Sequence, residues 1–151
     1  MTDVSAFAEL VPLDHGLCVF STVRPDGSVQ SSVVNAGVMA HPLTGERVVA
    51  LVARGGTRKL SNLRADPRAS IVARAGWNWA AVEGDAQLIG PDDPHPDIDA
   101  EAMRVLLRDI FKAAGGTHED YDTYDRVMAE ERRVAVLLAP RRTYTNPPSA
   151  T

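Results

Sequence analysis

A glycine pair followed by a hydroxyl and two cations is the part of the sequence with the clearest chemistry. Gly55 and Gly56 allow a tight turn that exposes the backbone. Thr57, Arg58 and Lys59 follow where a helix is expected to begin. The first N–H groups of a helix have no partner within it, and they favour negative charge. Together these groups predict a phosphate-binding site.

The spacing of this stretch differs from two well-known phosphate-binding patterns. A Walker A loop requires Gly-x-x-x-x-Gly-Lys-Ser/Thr, and a dinucleotide site of the Rossmann type requires Gly-x-Gly-x-x-Gly. Neither pattern occurs around Gly55. A solvated loop with two ordinary surface cations therefore remains the alternative interpretation.

Other chemistry-bearing residues give weaker signals. The four histidines lie far apart in the sequence, without the paired spacing of zinc ligands, so no metal site is expected. Ser31 and Ser32 have no base beside them, which argues against a nucleophilic serine. The sequence therefore identifies no catalytic side chain.

Composition and charge narrow the class of protein. A chain of 151 residues with 44% hydrophobic residues predicts one domain with a substantial core. The net charge of −4 argues against nucleic-acid binding. No apolar stretch approaches the ~20 residues that span a bilayer, and the residues after Met1 do not resemble a signal peptide, so we expect a cytoplasmic protein without membrane contact. The single cysteine, Cys18, lies in an apolar run and is expected to be a buried structural thiol.

The pattern of apolar and turn residues predicts elements that would position the phosphate site. The predicted strands are Leu17 to Val23, Val29 to Met39, Arg47 to Ala53, Ala69 to Ala73, Trp77 to Ile89, and Arg133 to Ala139 with an extension at 142–144. The predicted helices are Ser5 to Val11, Thr57 to Ala65, Asp97 to Ala114, and a last one from Thr117 or His118 to Glu131.

The order of these elements predicts the fold class. The strands follow one another as hairpins without alternating helices, which is typical of an antiparallel sheet. We expect a mainly β (α+β) protein: one domain, 1–151, with about six antiparallel strands closed into a small barrel and helices packed on one side. Residues 83–85 include Gly84 and predict a bend or bulge. Residues 145–151 are predicted to be a flexible tail.

Three longer stretches resemble a known family. Residues 57–70 resemble the signature of the pyridoxamine 5′-phosphate oxidase-like split β-barrel superfamily, a flavin-binding barrel type. Residues 76–88 and 132–144 are similar to its actinobacterial flavin/deazaflavin oxidoreductases, in the branch that uses coenzyme F420. The resemblance extends from about Gly16 to Pro147.

The resemblance implies a cofactor site and a homodimer with sites across its interface. Residues 57–59 would bind the cofactor phosphate, and 32–34 would follow the flat ring. Residues 62 and 63 would flank the cofactor, and the two tryptophans would close the pocket from the second subunit. The implied cofactor-binding residues are Ser32, Val33, Val34, Thr57, Arg58, Lys59, Asn62, Leu63, Trp77 and Trp79.

The implied activity is an F420-dependent transfer of hydride between C5 of the deazaflavin and an unsaturated or conjugated small molecule. One alternative is an FMN-dependent oxidoreductase on the same barrel, since both cofactors present a ribityl phosphate. Another is a non-catalytic carrier of a cofactor or tetrapyrrole, and a third is a structural dimer that binds phosphate adventitiously. Residues 136–144 lack the Arg-Leu-His-type segment of true pyridoxamine phosphate oxidases, so vitamin B6 oxidation is not expected.

Overall fold

Six antiparallel strands close into a barrel in the order β1-β2-β3-β6-β5-β4, in a computed structural model that describes residues 2–146. The strands are β1 Leu17–Val23, β2 Val29–Ala40, β3 Arg47–Ala53, β4 Arg68–Ala75, β5 Asn78–Ile89 and β6 Val134–Thr145. The helices are α1 Ser5–Leu10, α2 Arg58–Ala65, α3 Ala100–Ala113 and α4 Tyr121–Glu130, with a short 3₁₀ helix at Val11–Asp14. The predicted fold class is confirmed. Of the predicted tail, Thr145 ends β6, and residues 147–151 lie outside the described residues.

Strand β1 illustrates how the residue pattern builds the barrel. Its side chains alternate, so that Cys18, Phe20 and Thr22 are buried while Leu17 and Val19 remain exposed. Burial raises the pKa of the Cys18 thiol to about 12, with a smaller contribution from the nearby charge of Asp14. Cys18 is therefore protonated at neutral pH, and its predicted burial is confirmed.

Several element boundaries differ from the predictions, among them the starts of α3, α4 and β5. Helix α3 begins at Ala100 rather than Asp97, because the Asp99 carboxylate caps it by accepting a 2.8 Å hydrogen bond from the Ala102 N–H. Helix α4 begins at Tyr121 for the same reason, with Asp120 as its cap. Strand β5 begins at Asn78, so Trp77 lies in the β4–β5 turn and not in the strand.

A register shift occurs at the predicted position in β5, but the extra residue, Arg141, lies in β6. The β5–β6 register shifts between Glu83 and Gly84, because Glu83 pairs with Arg142 while Gly84 pairs with Pro140. A Cβ at Gly84 would lie 1.9 Å from the Ala139 carbonyl oxygen, so only glycine allows this approach. Pro140 is tolerated within β6 because the ladder is interrupted at this point.

Helix α3 covers one outer side of the barrel. Its residues Leu106, Leu107 and Ile110 pack against Ala50 of β3 and Leu137 of β6, and we call this side the covered face. The end of α3 rests on the β2 backbone, since a Cβ at Gly37 would lie 2.1 Å from the Ala113 carbonyl oxygen. None of the helices in residues 2–146 is long and apolar enough to cross a membrane.

The outer side formed by β4, β1 and β2 carries no helix among the described residues. Val19 of β1 stands between Val33 of β2 and Val72 of β4 in the antiparallel register. The exposed fractions are 42% for Leu17, 44% for Val19 and 67% for Val33. We call these outward side chains the bare face. The same barrel therefore has one outer side that is packed and one that remains apolar and open.

Candidate functional site

The glycine pair and the start of α2 form a concave backbone segment, residues 54–59, which we call the cradle. Gly56 has φ +82°, a conformation that favours glycine, and Thr57 is the N-cap residue of α2. The Thr57 hydroxyl donates a 3.0 Å hydrogen bond to the Arg54 carbonyl, and no side chain among residues 2–146 caps the helix. The first N–H groups of α2 are therefore available for an anion.

Two cations approach each other at the cradle. Lys59 is half-buried, and desolvation lowers the pKa of its ammonium group, with a further reduction from the charge of Arg133. Arg58 is exposed and makes no ion pair or hydrogen bond to another described side chain. Because like charges destabilise each other at close range, an anion between Lys59 and Arg133 would be stabilising.

The start of β6 forms the back of the cradle, which the sequence did not predict. The Gly55 N–H donates a 3.1 Å hydrogen bond to the Glu131 carbonyl, and a Cβ at Gly55 would lie 2.7 Å from the Arg132 carbonyl oxygen. Arg133 forms an ion pair with the Glu131 carboxylate at 2.8 Å. The available signal was the pair of arginines, 132 and 133, at the start of a predicted strand. Only the pairing of β3 with β6, which joins Ala53 to Val134, brings them to the cradle.

The segment of β2 at residues 32–34 lies next to the cradle. The β2–β3 register joins Ala36 to Leu51, and extending it by two residues places Val34 level with Ala53, where β3 ends. Val33 points outward on the bare face and Ser32 is half-buried, whereas the Val34 side chain belongs to the core. Val34 therefore offers a ligand only its backbone.

Helix α2 is tied to β1 and β2 through Asn62. Its side-chain amide donates hydrogen bonds to the Thr22 hydroxyl at 3.1 Å and to the side-chain oxygen Oε1 of Gln30 at 2.9 Å. Asn62 is 1% exposed, and its Oδ1 has no hydrogen-bond partner among the described residues. Leu63 is also buried in the core. Both predicted flanking residues thus lie at the site, but beneath its surface.

The two tryptophans lie at the other end of the barrel from the cradle of the same chain. Strand β4 starts just after α2 and runs for eight residues to Ala75, a length of roughly 25 Å. Trp77 is 91% exposed in the following turn. Trp79 is half-buried and contacts Tyr144 edge to face, with ring centroids 5.9 Å apart. The fold of one chain therefore does not bring either tryptophan to its own cradle.

Solved structures of three proteins share this barrel. A conserved hypothetical protein from Mycobacterium tuberculosis is 20% identical with a TM-score of 0.65, over 96% of this chain and 84% of that one. An F420 reductase is 17% identical with a TM-score of 0.57, over 85% and 88% of the two chains. An FMN-binding protein from Nostoc punctiforme, related to pyridoxamine 5′-phosphate oxidase, is 16% identical with a TM-score of 0.63, over 93% and 82%. At these identities the likeness shows the fold.

A family profile matches nearly the whole sequence. The profile of the family described as pyridoxamine 5′-phosphate oxidase matches residues 5–145, which include every strand of the barrel, the cradle and both tryptophans. This family includes oxidoreductases, so the match supports an enzyme in broad terms. The chain belongs to the pyridoxamine 5′-phosphate oxidase family.

Proposed function

We propose that the protein is an F420-dependent oxidoreductase that acts on an unsaturated or conjugated small molecule. The observation that carries the proposal is the half-buried Lys59, which feels the charge of Arg133, at a helix N-terminus that no described side chain caps. When bound, the deazaflavin supplies hydride chemistry at its C5 carbon. The residues of the chain bind and orient the coenzyme and exclude water from it.

The groups of the cradle fit a phosphate. Arg58 can offer two parallel N–H donors, and Lys59 adds a compact positive charge. The N–H groups of the first turn of α2 complete the donor set. Beside the cradle, the exposed Val33 side chain presents an apolar surface suited to one side of a flat ring.

The charges around the cradle favour F420 over FMN. FMN ends at its phosphate, whereas F420 continues beyond it with carboxylate-bearing groups. Arg54, at the start of the cradle, and Arg132 add positive charge to that of Lys59 and Arg133, and their side chains are 64% and 55% exposed. Arg132 is paired with Asp92. Arg54 reaches the Glu131 carboxylate only at 3.9 Å, so most of its donors remain available to a ligand. An extended anion would use this charge better than a single phosphate.

The proposed assembly is a homodimer that buries the bare face. A contiguous exposed apolar surface is typical of an interaction site in a water-soluble fold. Trp77 at 91% exposure and Tyr144 at 42% add aromatic surface at one end of the barrel. A second copy placed across this face would cover Val33 and bring its own tryptophans towards the cradle. The pocket would then be built from two chains.

Titration of both cofactors tests the proposal directly. F420 and FMN are added separately to the protein, and binding is followed by isothermal titration calorimetry. We expect F420 to bind more tightly, and we expect Lys59→Ala to weaken its binding by ~1.5–3 kcal/mol, the value of a charge-assisted hydrogen bond. Arg126→Ala, on the exposed side of α4, is the control and should leave binding unchanged.

The outcomes separate the alternatives. Tighter binding of FMN would favour the FMN enzyme, and unchanged affinity in Lys59→Ala would remove the phosphate assignment. Steady oxidation of reduced F420 with an acceptor is expected for an enzyme. Tight binding without turnover over a broad panel of acceptors would favour a carrier.

Mixed dimers test whether the two chains share each site. When Lys59→Ala and Trp77→Ala chains are combined, a site with an intact cradle and an intact partner tryptophan forms only if Trp77 serves the opposite subunit. We expect the mixed dimer to recover one high-affinity site, while each variant alone has none. No recovery would mean that Trp77 does not serve the partner's cradle.

A further inference from the structure

A second cavity lies outside the covered face, between α3, α4, the start of β6 and the loop at residues 90–99. Its volume is about 480 Å³, within the range of small-molecule pockets. Its walls are mostly apolar and include Ile89, Pro94, Ile98, Met103, Leu107 and Met128. The two methionines are flexible and polarizable, which suits a wall that must adapt to a ligand.

The loop that forms one wall is held in place by charge pairs. Arg64 of α2 donates two hydrogen bonds to the Asp93 carboxylate, at 2.9 and 2.7 Å. Arg132 forms an ion pair with Asp92, and the Gly90 and Asp93 backbones exchange two hydrogen bonds of 3.0 Å. Fixed at these points, the wall requires little ordering when a ligand binds.

The carboxylates that line the cavity are already satisfied. Asp99 accepts the 2.8 Å hydrogen bond that caps α3. Asp125 accepts from Arg108 at 2.9 Å and from Arg104 at 3.3 Å. The Nε and the other terminal nitrogen of Arg104 donate to the Glu101 carboxylate. Both carboxylates are therefore paired within the protein, so a ligand need not neutralise them.

At the edge of the cavity, His95 and Arg133 each have a donor without a partner in the part of the chain that the structure describes. The Nδ1 atom of His95 accepts a 3.1 Å hydrogen bond from the Asp97 N–H, so the neutral ring carries its hydrogen on Nε2. Arg133 uses its Nε and one terminal nitrogen on Glu131, at 2.9 and 2.8 Å. Its other terminal nitrogen donates to no described residue. The positive charge of Arg133 also repels that of Lys59 and lowers its pKa.

We propose that this cavity is a second ligand-binding site for a small amphiphilic anion. An apolar body would occupy the space between α3, α4 and the loop. One carboxylate would bind the free donor of Arg133 and the Nε2–H of His95. Arg133 also contributes charge to the cradle. The site is therefore tested in the absence of coenzyme, where this proposal and the proposed function can fail independently.

Calorimetric titration of the full chain with octanoate, in the absence of coenzyme, tests the site. We expect one octanoate to bind per chain, and octan-1-ol and octylamine to bind about tenfold more weakly or not at all, because they lack the anionic group. No octanoate binding would overturn the proposal. Equal binding of the three compounds would overturn its anionic part.

Matched variants locate the bound octanoate. Ala129 is an exposed residue of α4 that lines the cavity, so Ala129→Phe should fill the space without disturbing the core, while Ala129→Ser keeps the side chain small. We expect Ala129→Phe to abolish binding and Ala129→Ser to retain it. Arg133→Gln should weaken octanoate binding by about tenfold. Binding that survives Ala129→Phe would place octanoate elsewhere, and an unchanged affinity in Arg133→Gln would exclude Arg133 as the anion ligand.

Discussion

The two outer faces of the barrel carry similar apolar residues but meet different surroundings. On the covered face, Ala50 and Leu137 are at most 1% exposed because α3 lies over them. On the bare face, Val19 and Val33 stand opposite each other across β1 and β2 and remain 44% and 67% exposed. Because aliphatic side chains point outward on both faces, the difference in their exposure comes from the helix that covers only one of them.

The cradle and the second cavity lie next to different outer faces of the barrel. The cradle and Val33 adjoin the bare face, whereas the second cavity adjoins the helical layer that surrounds the covered face. A ligand at the cradle could be enclosed by another copy of the chain, while one in the second cavity is enclosed by the chain itself. The two faces are therefore expected to respond differently to substitution.

The largest effect is expected on the bare face. Val33→Glu would place a charge in the proposed interface, where it would be desolvated without a partner, and should convert a dimer into a 16.2 kDa monomer. Light scattering after size-exclusion chromatography measures the mass. Leu13→Glu is the control, since Leu13 has a similar exposure of 66% outside the sheet. A parent protein that is already monomeric, or a Val33→Glu protein that stays dimeric, would contradict the proposed assembly.

The next largest effect is expected beneath α3. Ile110 is 1% exposed, and Ile110→Ala should lower the free energy of unfolding by ~2–5 kcal/mol, because it removes packed methyl groups and leaves a cavity. Urea denaturation followed by circular dichroism measures the change. Val105→Ala, on the exposed side of the same helix, should change it by less than ~0.5 kcal/mol. Equal effects of the two substitutions would mean that α3 does not cover the barrel as described.

A smaller effect is expected where α4 is attached to α3. The Tyr124 hydroxyl donates a 3.1 Å hydrogen bond to the Leu107 carbonyl, and Tyr124→Phe should cost ~0.5–1.5 kcal/mol of unfolding free energy at pH 8. Burial raises the pKa of Tyr124 to about 12. The unfolded chain therefore loses this proton first as the pH rises above about 10, which favours unfolding of the parent alone.

The pH dependence gives this prediction a second readout. The stabilising contribution of the Tyr124 proton is complete below pH 10 and is lost towards pH 12, by at most ~1.4 kcal/mol per pH unit. Comparison of the two proteins at pH 8 and pH 11 should show the advantage of the parent shrinking. A constant difference between them would contradict the buried environment of this side chain.

The smallest effect on stability is expected at Trp77. In the Val33→Glu monomer, Trp77→Ala should change the free energy of unfolding by less than ~0.5 kcal/mol, because the side chain is 91% exposed. Trp79→Ala is the matched comparison and should cost more, since Trp79 contacts Tyr144. Urea denaturation again measures both. A large loss in the Trp77 variant would place that residue in the fold of one chain.

The sequence predicted the elements whose signals are local. Alternation in β1 and the turn residues between the predicted strands were sufficient for the hairpins. Gly84 marked the register shift in β5, although the extra residue lies in β6. The starts of α3 and α4 were misplaced because each is preceded by several acidic or polar residues, and only the geometry selects Asp99 and Asp120 as caps. Trp77 was placed in a strand because the turn at Gly76 extends one residue further than its pattern indicates.

The candidate site was only partly accessible to sequence analysis. The cradle is a continuous segment, so Thr57, Arg58 and Lys59 were identified by type and order. Arg133 was not, because its position beside Lys59 depends on pairing between β3 and β6 over a long separation in the chain. The sequence also did not predict that Val34 and Leu63 are buried, because their strand and helix patterns do not show which side faces the barrel interior.

Gly37 controls how closely α3 approaches the barrel. With 2.1 Å between its virtual Cβ and the Ala113 carbonyl oxygen, even a methyl group would lift the last turn of the helix. Water would then enter beneath α3 and reach aliphatic side chains that are now dry. The missing Cβ of Gly37 thus decides whether this barrel has one exposed apolar side or two. A substitution there would favour non-specific self-association over a defined assembly.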